Sequence, residues 1–285
     1  MKNKKTRLAL ATLTLTLPLF AQAEGLSPWL PIPGDVAISL NLSQQSGDTA
    51  YVGSTELPLS AITGGGANQY KRSTTTLRLG YGLSDSVALD ASLGRGRVKV
   101  GGADNSSGSV DSTAGVSWRV LDEYEQGGLP TVTVRGGAIF KGSYDGARLA
   151  ALGNAANGFE VSVAVGKQVT SALSLWAELG LQERSNNIPK ATFFELGARY
   201  RVLPALSLSL GYTDQKYGGN LDIGGPGFSP ARFQQVKAER SITKLGVGYA
   251  IAGNQGVALT LAKVGRGRNT VKDDQIAGLS YTFAF

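Results

Sequence analysis

The sequence predicts an all-β fold: a transmembrane antiparallel β-barrel of about twelve strands. Three observations predict it. Twelve runs of the chain alternate apolar and polar residues, the connections between them alternate short and long, and large aromatic residues gather at the ends of the runs.

The first element of the 285-residue chain stands apart from the barrel. Lys2, Lys4, Lys5 and Arg7 precede an apolar run from Leu8 to Phe20, followed by Ala21-Gln22-Ala23. A basic start, a short apolar stretch and a small-x-small site make a cleavable signal peptide over residues 1–23, too short to span a bilayer as a helix. The barrel is expected over residues 24–285. Removing the four cations of the leader takes the net charge from +7 to +3, so the basic balance is largely a targeting feature and points to no nucleic acid.

The chain has no Cys and no His. Disulfides are therefore absent, as are histidine metal sites and histidine-dependent catalytic dyads and triads. No spacing argues for a Ser-Lys or carboxylate mechanism. No catalytic residue, metal or cofactor is expected, and the protein is read as a non-enzyme.

The alternating runs lie at 34–44, 71–82, 86–98, 109–120, 131–142, 158–169, 172–184, 190–202, 205–217, 237–250, 255–266 and 272–285. Each is long enough to cross a hydrocarbon layer as a tilted strand. In the sixth, Phe159, Val161, Val163 and Val165 alternate with Glu160, Ser162, Ala164 and Gly166. In the seventh, Leu173, Leu175, Ala177, Leu179 and Leu181 share one face, with Ser174, Trp176, Glu178, Gly180 and Gln182 opposite. The ninth sets Leu206, Leu208, Leu210 and Tyr212 against Ser207, Ser209, Gly211 and Thr213.

Alternation alone fits a soluble sandwich equally well. Loop lengths favour the membrane barrel. Short connections near 83–85, 170–171, 203–204 and 251–254, with 121–130 somewhat longer, alternate with 45–70, 99–108, 143–157, 185–189, 218–236 and 267–271. Short turns on one rim and long loops on the other are the outer-membrane arrangement, and an even strand count puts both termini on the short-turn rim. Aromatics agree. Tyr81, Trp118, Tyr200 and Tyr249 fall near that rim on the apolar face, while Phe140, Phe159, Phe194 and Tyr212 fall near the other. Two belts of rings match the two interfaces of a bilayer.

The chain ends Gly278-Leu279-Ser280-Tyr281-Thr282-Phe283-Ala284-Phe285. A last strand ending in Phe, with Tyr281 and Phe283 alternating before it, resembles the assembly signal of Gram-negative outer-membrane barrels. The resemblance implies outer-membrane localisation, reading of Tyr281, Phe283 and Phe285 by the barrel-assembly machinery, and contact with outer-membrane lipids and lipopolysaccharide. The stretches LRLGYGLSDSVALDASLGRG, GVSWRVLDE and ELGARYRVLPALSLSLGY resemble the barrels grouped with the phenol-degradation (MetA) pathway. That likeness covers most of the chain after the leader and implies a small-molecule channel, with no individual binding residue carried over.

Parity places the ionisable groups opposite the leucines, inside the barrel, because Arg or Lys facing lipid at the midplane costs about 2–4 kcal/mol. The expected lumen and selectivity set is Arg78, Arg119, Arg135, Lys141, Glu160, Glu178, Glu195, Arg199, Arg201 and Arg266, joined by Asp90 and Lys244. Cations outnumber acids in it. Two readings stay open: a narrow passive channel for small polar or anionic solutes, aromatic ones among the candidates, or a structural or adhesive barrel whose lumen is closed by ion pairs. The solute is not named by any motif.

Three further features stand outside this scheme. Gly94-Arg95-Gly96-Arg97 and Gly265-Arg266-Gly267-Arg268 fall near the long-loop rim, where Arg95, Arg97 and Arg268 are candidates for lipopolysaccharide contact. Three prolines in Ser27–Pro33 exclude helix and central strand, and a lead-in outside the barrel is favoured there over a plug inside it. The apolar loop 222–230 is a candidate for a segment that folds inward.

Overall fold

The computed structural model describes residues 27–285 apart from Ala147 and Leu149, so the leader over 1–23 lies outside the described residues. Twelve antiparallel strands form the wall: β1 Val36–Gly47, β2 Tyr70–Gly82, β3 Val87–Val100, β4 Ser112–Leu121, β5 Thr131–Phe140, β6 Gly158–Gln168, β7 Leu173–Arg184, β8 Ala191–Leu203, β9 Leu206–Tyr217, β10 Glu239–Ala252, β11 Gln255–Arg268 and β12 Gln275–Ala284. Each pairs with the next, and β12 pairs with β1, so the sheet has no free edge. At the seam the Val36 amide donates to the Phe285 carbonyl at 2.8 Å, and the Phe285 amide returns the bond to Val36 at 3.0 Å. Closure satisfies every row of backbone donors and acceptors that an open sheet would leave to lipid.

The period-two pattern sets the faces. Leu179, Leu208, Leu245 and Val163 point outward and are exposed, while Ser162, Glu178 and Lys244 on the same strands are buried inward. The apolar surface of this protein is thus its outside, as a hydrocarbon solvent requires and water would not. No helix of the described residues is long and apolar enough to cross a membrane; the strands do so. Tyr81, Trp118, Tyr200, Tyr249, Tyr281 and Phe285 are exposed near the short-turn rim, and Phe140, Phe159 and Tyr212 near the other.

Two segments enter the lumen. The first corrects the lead-in expectation: Ser27–Pro33 lies inside the short-turn end. Thr133 on β5 donates to the Pro28 carbonyl at 2.7 Å, and the Trp29 indole donates to Glu123 at 3.0 Å. Across the bore, the Gly34 amide donates to Gly82 of β2 at 2.8 Å. Close approach explains the glycine at 166 on β6, because a Cβ there would stand 2.4 Å from the Pro28 ring. The second intruder is the loop 141–157, in place of the expected 222–230. Its Leu152 is buried against Val98 and Tyr70, and its Leu152 carbonyl accepts from Arg72 at 2.8 Å.

Residues 104–108, expected as loop, form with Ser109 a strand in line with β4 that pairs with the upper half of β3. Above the opposite side, residues 218–238 are tethered to the end of β11. Arg268 grips Asp222 through Nε at 2.9 Å and through Nη2, and the Asn269 side-chain amide donates to the same carboxylate at 2.7 Å. The Arg268 guanidinium holds the Asp222 carboxyl below its ordinary value. The folded-state pKa being depressed, the tether is present at neutral pH and is lost only as pH falls below the usual carboxylate range.

Placing an arginine at Leu179, midway along β7 and facing lipid, is expected to lower the folding free energy in vesicles by about 2–4 kcal/mol, whereas an arginine at the lumen-facing Ser209 costs far less. Denaturant titration of the heat-modifiable folded band compares the two. Asp222→Asn is expected to raise protease cleavage within 218–238 while leaving the barrel band intact, read by limited proteolysis of whole cells.

Candidate functional site

The wall encloses a cavity of about 510 Å³. Trp29, Leu30 and Pro31 line its short-turn end, and Leu152, Gly153 and Asn154 line its long-loop end. Between them hydroxyl, amide and charged groups alternate with apolar side chains, Ile139, Phe193, Ile242 and Ile276 among them.

Lumen-facing ionisable groups arise where an alternating strand exchanges a serine or threonine for a charge. Arg135 on β5 is the centre of one belt. It donates to Asp90 of β3 through Nε at 2.8 Å and Nη2 at 2.6 Å, and on its other side it pairs with Glu160 of β6. Gln182 of β7 donates to the second Glu160 oxygen at 2.9 Å. Four strands' worth of wall is thereby tied at one depth. The guanidinium reaches sideways because β4 presents Gly115 beneath it; a Cβ there would meet Arg135 at 2.6 Å.

A second group lies across the bore. Glu178 of β7 and Glu195 of β8 are direct cross-strand partners, and both are buried. Like charges in that register repel. Lys244 of β10 stands over Glu195 at 3.2 Å, and Thr213 donates to the same oxygen at 3.2 Å. Nearer the short-turn rim, Arg199 sits 5.8 Å from the centre of the Trp176 ring, a cation–π arrangement. The indole lies flat on the wall because residue 197 is glycine: a Cβ there would be 2.0 Å from the ring.

Eight of the ten expected lumen residues face the bore or its short-turn mouth: Arg78, Arg119, Arg135, Glu160, Glu178, Glu195, Arg199 and Arg201. Arg119 is at the mouth, where it pairs with Asp122 at 3.0 Å in the turn below. The other two are corrections. Lys141 falls one residue beyond β5 and is exposed, because the strand ends at Phe140 rather than at 142. Arg266 points outward. A bulge at Gly265 shifts the pairing from Ile242–Val264 to Ser241–Arg266, which moves the arginine to the outer face, where it meets Asp214 at 3.1 Å.

Sequence parity also missed acids. Asp111 precedes β4 and binds Arg184 at 2.6 Å; Asp273 precedes β12 and binds Arg240 at 2.5 Å. The expected runs 109–120 and 272–285 take both in, but the strands begin at Ser112 and Gln275, so alternation does not set the face of either. Each acid brings its own missed arginine, so the cationic excess of the bore falls only through the loss of Lys141 and Arg266.

Removing the belt's centre should be costly. Arg135→Ala leaves Asp90 and Glu160 facing one another without their shared cation, and the expected loss is about 3 kcal/mol, since stranding a buried partner costs more than the pair contributes. Thermal unfolding of the detergent-solubilised barrel measures it, and Asp90→Asn/Glu160→Gln added to Arg135→Ala should recover part of the loss.

The comparisons follow this geometry. Residues 44–285 match the family described as the MetA-pathway of phenol degradation, and the chain belongs to that family. Among solved structures, an outer membrane channel from Pseudomonas putida F1 matches with a TM-score of 0.71 at 17% identity, covering 92% of this chain and 99% of that one. The KdgM porin matches with a TM-score of 0.52 at 10% identity, covering 87% of this chain and 99% of that one. The NanC porin matches with a TM-score of 0.51 at 11% identity over 87% of this chain and 98% of its own. No curated protein matches the sequence. The closed twelve-strand wall shares its fold with these outer-membrane channels and porins.

Proposed function

From membership of that family we propose that the protein is a narrow passive channel for small polar or anionic solutes, aromatic ones included, and not an enzyme. One observation carries the reading. The bore holds a cavity of about 510 Å³, lined by polar, charged and apolar side chains together and narrowed at both ends by short segments of the same chain. That volume suits a small molecule. Its neighbour from Pseudomonas putida is itself described as an outer membrane channel, and the family's description names phenol degradation, which agrees with an aromatic solute.

Anion preference rests on the short-turn half. Arg78, Arg199 and Arg201 cluster there on β2 and β8. A narrow, low-dielectric bore concentrates the local field of three guanidinium groups on entering ions. Trp176 beneath Arg199 adds a flat apolar surface beside a cation, suited to an aromatic carboxylate or phenolate. A specific observation also favours the second reading, a structural barrel: the Asp90–Arg135–Glu160–Gln182 belt braces the wall in the manner of a strut.

Reversal potentials under a salt gradient separate the two. Replacing Arg199 and Arg201 by Ser is expected to move the potential towards cation preference with little change in thermal stability. Unmoved selectivity with a lowered melting point makes these arginines struts and overturns their transport role.

The assembly signal is part of the same proposal. Phe285 closes the seam with Val36 and stacks on Phe283 at 5.4 Å between ring centres. Deleting Phe285 is expected to lower the heat-resistant folded fraction in the outer membrane; unchanged levels on overexpression would count against recognition by the assembly machinery.

A further inference from the structure

The outer face of the barrel carries a cationic grid that plays no part in the lumen. The two Gly-Arg-Gly-Arg tetrapeptides have opposite fates. In the second, Arg266 is neutralised by Asp214 and Arg268 by Asp222, so Arg268 is already engaged within the chain. In the first, Arg95 and Arg97 are exposed, and neither makes a side-chain hydrogen bond or ion pair among the described residues.

Register builds the grid around them. On β3, Arg95, Arg97 and Lys99 share the outward face with Leu93. Across β2 they oppose Thr75, Ser73 and Lys71, and across Asp104–Ser109 they oppose Ser109, Ser107 and Asn105. All nine of these residues are exposed, and none is a carboxylate. Lys71 faces Lys99 directly, a pairing that repels unless an anion lies between or above them. Lys71 and Lys99 likewise have no side-chain partner among the described residues.

We propose that Lys71, Arg95, Arg97 and Lys99 form a site for the phosphates of an outer-leaflet glycolipid, the lipid A headgroup of lipopolysaccharide. The chemistry fits an oxyanion: guanidinium forks match phosphate oxygens, lysines add point charge, and flanking hydroxyls of Ser73, Thr75 and Ser107 can donate. The position fits a lipid rather than a free ion. Leu93 lies two residues below Arg95 on the same face, so the grid starts where the lipid-facing band stops. Along β3 the three cations span about 14 Å at a strand's rise per residue, room for more than one phosphate. The long-loop rim on which the grid stands is the outer-leaflet side.

Binding of lipid A to the purified, folded barrel in detergent tests the proposal, read by native mass spectrometry. Lipid A carrying its phosphates is expected to bind at least tenfold more tightly than the same lipid stripped of them. Lys71→Gln/Arg95→Gln/Arg97→Gln/Lys99→Gln should abolish that preference, while Arg266→Gln/Arg268→Gln should leave it within about twofold of the parent. Equal binding of phosphorylated and phosphate-free lipid by the unaltered barrel overturns the proposal without recourse to any variant. So does full displacement by equimolar inorganic phosphate, which would make the grid a free-anion site. If the quadruple variant fails to fold, Arg95→Gln/Arg97→Gln alone should lower the preference at least threefold, and an unchanged preference there is a refutation.

Discussion

Everything in this protein depends on the hydrogen bonds that join β12 to β1. Hydrocarbon offers no partner to a backbone amide, so an extended chain can cross it only if no sheet edge is left over. The Val36–Phe285 exchange at the seam and the ten paired residues between Ala37 and Ser46 and their β12 partners remove that edge. Once the wall closes, the period of two does the rest. It sends leucine and valine to lipid and collects serine, threonine, glutamate and arginine in the space the wall encloses. Polarity inside follows from apolarity outside.

The space so formed then sets its own constraints. Charges gathered in a narrow bore must be paired or hydrated, and pairing across several strands stiffens the wall that created them. Arg135 shows how the chain reconciles the two. Its neighbour strand carries glycine at 115, so the guanidinium lies along the wall and leaves the axis open. Trp176 does the same over Gly197. Large side chains are thus folded flat against the barrel while the lumen remains a cavity, bounded at one end by the Trp29–Pro31 segment and at the other by the loop that carries Leu152.

Much of this is legible in the sequence because barrel strands are local in their pattern. Leu175 and Trp176 fall on opposite faces whatever the neighbours are, and loop lengths alone orient the rims. What parity cannot carry is a break in register. Gly265 adds one residue to β11, and Arg266 turns from bore to outer face; the displacement is visible only against β10. Asp111 and Asp273 fall within the expected runs but just before the strands themselves begin, where alternation no longer sets a side. The Ser27–Pro33 segment has no period at all, and its place inside the bore is signalled only by glycines on the wall it touches, Gly82 and Gly166, whose meaning appears once the fold is known. The twin arginine tetrapeptides read alike in one dimension and differ because Asp214 and Asp222 come from distant strands and loops.

The central claim is that the cavity is a water-filled passage rather than a braced and sealed interior. Single-channel recording of the folded protein in planar bilayers tests it most directly. The account predicts discrete, small conductance steps, larger when Ser27–Pro33 is deleted because that segment narrows the short-turn end. Absence of steps from protein shown to be folded by its heat-modifiable mobility, both with and without Ser27–Pro33, would contradict it and leave a structural barrel.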